Sequence, residues 1–204
     1  MHAAPPFWKL TRNMNTASLF TAKKVIFSLE VFPPKKDTSV NVIYNTLLGL
    51  RGLPADFISV TYGAGGSPAQ REKTCEIASL IRSNYHIEPV SHLTCVNSDR
   101  EEIRQTLAKL KENGICNILA LRGDKTPGVE PKTDFLHASD LARFIRETDP
   151  SFNLLGACYP EGHFESDSLE EDIDHLKLKI ENGVSHLITQ LFFDNNSFYH
   201  FLEL

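Results

Sequence analysis

Polar residues recur along this chain at a nearly fixed step, and each recurrence falls within or just past a short apolar run. The runs are VIFSLEVF (25–32), DFISVTY (56–62), IEPVSHLTC (87–95), ICNILALR (115–122), NLLGACYP (153–160) and VSHLITQLFF (184–193). Their polar markers are Glu30, Thr61, His92, Arg122, Tyr159 and Gln190, spaced 30 to 37 residues apart. Short β-branched runs read as strands, and longer amphipathic segments between them read as crossover helices. The pattern predicts six strand–helix units, right-handed connections and a parallel sheet. One polar group per strand, delivered to the same carboxyl edge, is how a (β/α)8 TIM barrel assembles a site. A doubly wound sheet gathers its ligand groups near one switch point instead, so the α/β class resolves in favour of the barrel.

Helix punctuation supports the alternation. Ser67-Pro68-Ala69-Gln70 supplies an N-cap, a first-turn proline and a capping-box glutamine, and Ser98-Asp99-Arg100-Glu101 repeats the device before Ile103, Leu107 and Leu110. Leu169, Ile173, Leu176 and Ile180 form the apolar face of a further helix that Gly183 closes. Six units consume the chain, whereas a closed barrel needs eight, and open sheet edges are seldom left bare. The chain is therefore expected to be an N-terminal portion of a longer barrel. Residues 1–15 show no period and are expected to be a disordered or spurious leader, with Met14 as an alternative start and 16–204 as the domain.

Composition narrows the partners. A formal charge of −5 with no basic run argues against nucleic acid. No apolar stretch approaches the roughly 20 residues of a membrane span, and no signal-peptide core is present. Cys75, Cys95, Cys116 and Cys158 are widely spaced and mostly sit in apolar segments, as buried thiols in a reducing compartment do. A cytoplasmic location is the expectation.

Individual residues carry competing readings. Alternation puts Ile26, Ser28, Glu30 and Phe32 on one face, so Glu30 looks into a lumen, where desolvation favours the protonated acid. The plainer reading is a glutamate at an exposed edge. TYGAGGSPAQ (61–70) suits close backbone approach to a phosphate or a flat ring, yet matches neither a P-loop nor a dinucleotide fingerprint, and a plain turn fits it equally. In the long loop after the fourth run, Arg122 can bind an anion and Asp124 can stabilise a cation. His92, His163 and His175 lack the spacing of a metal pair, so no metal is expected. Asp172, His175 and Lys179 make a polar stripe that reads by default as a solvated helix face.

Taken together, FSLEVFPPK, SVTYGAGGS, HLTC, ALRGD, ASDL, YPEGH and ITQLFFD, in this order between residues 27 and 194, resemble the methylenetetrahydrofolate reductase family. The resemblance implies a (β/α)8 barrel that holds FAD at the carboxyl ends of its strands. It implies ping-pong chemistry, with NADH or NADPH reducing the flavin before 5,10-methylenetetrahydrofolate takes the hydride. By that resemblance Glu30 is the general acid that assists opening of the folate ring, and Asp124 lies near flavin and folate and stabilises the iminium. Gln190 contacts folate and nicotinamide. Thr61, Tyr62, Ala64, His92, Arg122, Gly123, Asp124, Ala138, Tyr159, His163, Asp172 and Lys179 line the flavin site. His175 and Leu178 depart from the bacterial pattern, where asparagine and arginine are frequent. Self-association is compatible with the family. The 204-residue portion alone is expected to be unstable, to bind FAD poorly and to have little activity. The alternatives are an inactive flavin- or folate-binding remnant and a metal-dependent barrel lyase or hydrolase.

Overall fold

The computed structural model describes residues 15–34, 41–50, 52–62, 68–125, 128, 130 and 132–204. Residues 1–14 of the expected leader, Met14 among them, lie outside the described residues, as do Ala64, the Ser67 cap and the glycines of the 63–67 loop.

Six strands, β1 (Ser28–Val31), β2 (Phe57–Val60), β3 (Glu88–Thr94), β4 (Asn117–Leu121), β5 (Asn153–Cys158) and β6 (Val184–Thr189), form one sheet in that order. Every neighbouring pair is parallel. Sequential order without a switch point is that of a barrel wall and excludes the doubly wound alternative. The chain forms six βα units of a (β/α)8 architecture, a curled partial barrel whose β1 and β6 are its two edges among the described residues.

The helices are α1 (Ala17–Ala22), α2 (Asn41–Gly49), α3 (Pro68–Leu80), α4 (Arg100–Glu112), α5 (Ala138–Thr148), α6 (Leu169–Glu181) and α7 (Asn195–Glu203). A π-helical turn, Ile81–Tyr85, extends α3. The cap of α4 differs from expectation by one residue. Asp99 is its N-cap, accepting from Glu102 N at 2.9 Å while Glu102 Oε2 accepts from Asp99 N at 2.9 Å. A carboxylate at N-cap completes the reciprocal box with a glutamate at N3, and Ser98 is left buried beneath, accepting from Arg71 Nη2 at 2.7 Å. On α6, Ile173 and Leu176 are buried but Ile180 is half exposed, so the apolar face ends a turn early. Gly183 ends the helix with φ +99°, a conformation strained for any residue with a Cβ, and a Cβ there would also displace the Arg146 side chain, whose Nε would lie 2.7 Å away.

Strand parity divides the core. Ile58, Val60, Leu93, Ile118, Ala120 and Leu154 face outward and pack with helix residues such as Ile77, Ile103, Leu107, Leu141 and Ile145. Phe57, Val90, Leu119 and Leu155 face inward and fill the lumen together with Leu19.

Leu19 belongs to α1, which carries no periodic signal in the sequence and was not expected. Its hold is polar. Thr16 is buried and gives both its N–H (2.9 Å) and its hydroxyl (3.2 Å) to Asn117 Oδ1, while Asn153 Nδ2 donates to Thr16 Oγ1 at 2.9 Å and to Asn117 Oδ1 at 3.0 Å. Ser185 Oγ then donates to Asn153 Oδ1 at 2.8 Å. Asparagines at the amino ends of β4 and β5 thus dock α1 across the bottom of the sheet, with Leu19 as its apolar plug.

Thr16→Val keeps the volume and removes the hydroxyl, leaving one Asn153 N–H buried without an acceptor. Such an orphan costs about 1–3 kcal/mol. Urea unfolding is expected to show a loss of that size for Thr16→Val and a smaller one for Thr16→Ser; equal midpoints for all three proteins would show that the network does not hold the sheet.

Candidate active site

The carboxyl ends of the strands gather the predicted side chains, and the register explains how. Glu30 pairs with Ser59 across β1 and β2, and Ser59 pairs with Val90, two residues before His92. All four share the inward parity. Ser59 Oγ donates to Glu30 Oε2 at 3.1 Å, and His92 Nε2 stands 3.3 Å from the same oxygen. The ring nitrogen is buried, and its approach to Glu30 falls short of an aligned hydrogen bond.

Glu30 departs from expectation in its charge. Its side chain is 47% exposed because β1 is an edge of the sheet. The neighbouring His92 is the largest influence and holds the carboxyl below its ordinary range; burial opposes this, and the His92 charge and the Ser59 hydroxyl add to the lowering. An ionised Glu30 replaces the protonated acid that desolvation alone predicted.

Thr94, two residues beyond His92, was not singled out by the sequence reading. Its side chain is inward by parity and 4% exposed, and its hydroxyl has no partner among the described residues. The available signal was its place in HLTC, two positions from His92, which the resemblance assigns to the flavin site. Gly123, at φ +86°, packs on it: a Cβ there would come within 3.0 Å of Thr94 Cβ.

Arg122, just past β4, is held by a forked ion pair with Glu165, Nη2 to Oε1 at 2.9 Å and Nη1 to Oε2 closer still. Arg122 in turn lowers the Glu165 carboxyl. The predicted anion binder therefore already grips an anion of its own chain, and Glu165 was not anticipated. Asp124 follows on the exposed edge. Ala138 opens α5, whose first turn is ordered by Asp140 accepting from Leu136 N (3.1 Å) and His137 N (3.0 Å).

Tyr159, His163, Asp172 and Lys179 do come together. The His163 ring meets Tyr159 edge-on at 4.8 Å, and His163 N donates to Asp172 Oδ2 at 3.1 Å. Lys179 Nζ donates to Ala157 O at 3.0 Å and lies 5.9 Å from the Tyr159 ring centre. Burial lowers the Lys179 ammonium and Asp172 opposes that; burial raises the Tyr159 phenol, assisted by Asp172 and Asp124. Asp172 is buried, so the stripe on α6 is not a plain solvated face. His175 alone of the three is exposed, its ring 6.0 Å from that of His137.

Three predicted residues are placed differently. Thr61 is buried and is tied through its backbone, its N–H to Val31 O and its carbonyl from Thr74, both at 3.0 Å. Tyr62 has the opposite parity: its ring lies in the helix-side core and its hydroxyl is buried without a partner among the described residues. Gln190 is exposed beyond β6 and tied through its N–H to Cys158 O at 2.8 Å.

Among the described residues no three His, Cys, Asp or Glu converge as a metal site, and no helix is long and apolar enough to cross a membrane. Burial pushes the Cys95 thiol up to about 12 and Cys116 and Cys158 to about 11, far from reactive thiolates. A cavity of about 280 Å³ lies on the helix side near the amino ends of β2 and β3, lined by Leu29, Ile58, Leu47 and Tyr85, away from these groups.

Comparison with known proteins identifies the family. The family model for methylenetetrahydrofolate reductase matches residues 15–204. The chain is 40% identical over 182 residues to methylenetetrahydrofolate reductase 1 of Schizosaccharomyces pombe, covering 86% of this chain and 30% of that protein. Against the 5,10-methylenetetrahydrofolate reductase of Salmonella typhimurium it is 36% identical over 177 residues, covering 86% of this chain and 58% of the relative. The chain thus spans under two thirds of the length of these relatives. Among solved structures, a Clostridium thermocellum protein described as binding two copies of 5-methyl-5,6,7,8-tetrahydrofolic acid superposes with a TM-score of 0.60 at 17% identity, over 92% of this chain and 61% of that one. Oxaloacetate acetylhydrolase gives 0.67 at 10% identity, over 95% and 68%. At such identities the superpositions speak to the fold alone. The match of the family model over nearly the whole chain settles the family: this chain belongs to the methylenetetrahydrofolate reductases.

Proposed function

We propose that the chain carries the flavin and folate site of a cytoplasmic enzyme that reduces 5,10-methylenetetrahydrofolate to 5-methyltetrahydrofolate with NADH or NADPH, through FAD and in ping-pong order. The observation that carries the reading is the inward group Glu30–Ser59–His92 on three adjacent strands, with an unpartnered hydroxyl on Thr94 beside it. Buried polar atoms without partners are costly and call for an occupant. The residues present fit a flavin dinucleotide: His92 and Thr94 offer polar contacts at the lumen, Lys179 offers a donor for its diphosphate, Arg122 can exchange Glu165 for a phosphate, and Asp172 orders the intervening loop. A bound flavin supplies a two-electron carrier between the nicotinamide and the folate.

The chain's own part is the proton. Glu30 must be protonated to act as an acid, yet His92 holds it ionised while its carboxyl is open to water. Covering the site with flat ligands excludes that water, and desolvation raises a carboxyl. A proton on His92 Nε2 would then lie 3.3 Å from Glu30 Oε2, within reach of transfer to that carboxyl. Asp124 supplies a negative charge for the cationic form of the substrate, and Gln190 a neutral hydrogen-bonding group for both substrates in turn.

Two measurements test this. Carboxyl-detected NMR titration of the ligand-free protein is expected to give Glu30 a midpoint below its ordinary 4.5. His92→Asn should move the midpoint up, since burial becomes the chief remaining influence; no movement would remove His92 from the account. In the flavin-loaded protein, Glu30→Gln is expected to leave anaerobic bleaching by NADH or NADPH intact. The same variant should slow colour recovery with methylenetetrahydrofolate by about 10²- to 10⁴-fold, the usual worth of a general acid. Equal loss in both halves would assign Glu30 to binding rather than proton transfer.

A further inference from the structure

The loop from Tyr159 to Ser168, joining β5 to α6, is tied down at nearly every step. Gly162 N donates to Tyr159 O (3.0 Å), His163 N to Asp172 (3.1 Å), Ser166 N to His163 O (2.9 Å) and Asp167 N to Glu171 (2.7 Å). Glu165 N donates to His163 Nδ1 at 3.2 Å, and the Glu165 carboxylate is forked to Arg122. Yet this loop holds Phe164 82% exposed. Its ring stacks on His163 at 4.7 Å and 26°, and His163 abuts Tyr159. Three rings thus run outward in a row from the end of β5, the last open to solvent, with the Arg122 guanidinium and the Lys179 ammonium beside the row.

A held, exposed aromatic face suits a flat heteroaromatic ring, and Lys179, with Arg122 once it exchanges Glu165, suits the phosphates joined to one. Its place on the outer loop, away from the inward Glu30–His92 group, fits the half of a dinucleotide that takes no part in hydride transfer. The geometry points to Phe164 as the outer end of an aromatic shelf that stacks the adenine ring of an adenine dinucleotide. The inference rests on the proposed function and adds a positioning residue to it. FAD and the nicotinamide dinucleotide share that adenine, so the experiment separates them.

Phe164→Ala and Phe164→Trp are compared with the unmodified protein, with circular dichroism and thermal midpoints confirming equal folding. Binding of FAD and of FMN is read from flavin fluorescence, and binding of ADP-ribose by calorimetry. Stacking of one base on an aromatic side chain corresponds to about a 5- to 100-fold change in affinity. Phe164→Ala is expected to weaken FAD by such a factor and leave FMN, which has no adenine, unchanged, while Phe164→Trp retains affinity. The same loss for ADP-ribose with FAD unchanged keeps the shelf but gives it to the nicotinamide dinucleotide. Unchanged FAD and ADP-ribose binding in Phe164→Ala overturns the shelf, as does an equal loss of FAD and FMN. An unmodified protein that binds neither flavin nor adenine nucleotide overturns the proposed function and the shelf with it.

Discussion

Strand parity governs what this molecule can do. In a parallel sheet curled around a lumen, a side chain's destination depends on whether its position along the strand is odd or even, and a slip by one residue exchanges the two faces. The inward set here is layered: α1 and the asparagines of β4 and β5 at the bottom, Leu19, Phe57, Val90, Leu119 and Leu155 in the middle, and Glu30, Ser59, His92 and Thr94 at the carboxyl end. The apolar middle layer separates two polar ones. The bottom network satisfies itself, Thr16, Asn117, Asn153 and Ser185 each serving another. The top does not, since the Thr94 hydroxyl and the His92 Nε2 lack aligned partners. One end of the lumen is built for stability and the other is left with hydrogen-bonding capacity to spend on a ligand.

The same parity decided what could be read in advance. Six strands and their order follow from apolar runs and a step of about thirty residues, because a parallel strand reads as a short apolar run and its crossover has a narrow range of lengths. Alternation placed Glu30 inward, as the register has it. His92 and Tyr62 came from family position, which says nothing of parity: His92 is inward, and one residue past Thr61 turns the Tyr62 ring to the helix side. Thr94 was missed because a threonine in a strand is unremarkable until its hydroxyl is seen to be unpartnered. α1 was missed because six residues carry no helical period; asparagines more than a hundred residues away hold it. Asp99 rather than Ser98 caps α4, the Ser98 hydroxyl being buried against Arg71, a partner distant in the chain. Glu165 eluded sequence reading for a similar reason, its partner Arg122 being distant in the chain.

Edges account for the charge state of Glu30 that desolvation alone did not anticipate. β1 pairs on one side with β2, and among the described residues nothing pairs with its other side. Val25 and Phe32 flanking it are exposed, as are Leu191 and Phe193 beyond β6. Inward direction and desolvation are separate properties: the first is fixed by the strand's own pleat, the second by what closes around it. Glu30 has the first in full and the second in part, so water and His92 together outweigh burial.

That separation bears on how one carboxyl could serve a two-stage reaction. On the proposed function, the nicotinamide stage asks nothing of Glu30, whereas the folate stage needs it protonated. A carboxyl fixed in the protonated form by deep burial would be an acid in both stages. One fixed by His92 in the ionised form would be an acid in neither. Glu30, half exposed and 3.3 Å from a buried imidazole, lies between these limits, so its protonation can follow whichever ligand covers it. The direction is set by solvation: a ligand that leaves Glu30 wet keeps the charge, and one that seals it against His92 favours the neutral acid. Ping-pong order then places the demand for the proton at the stage when the folate itself excludes the water.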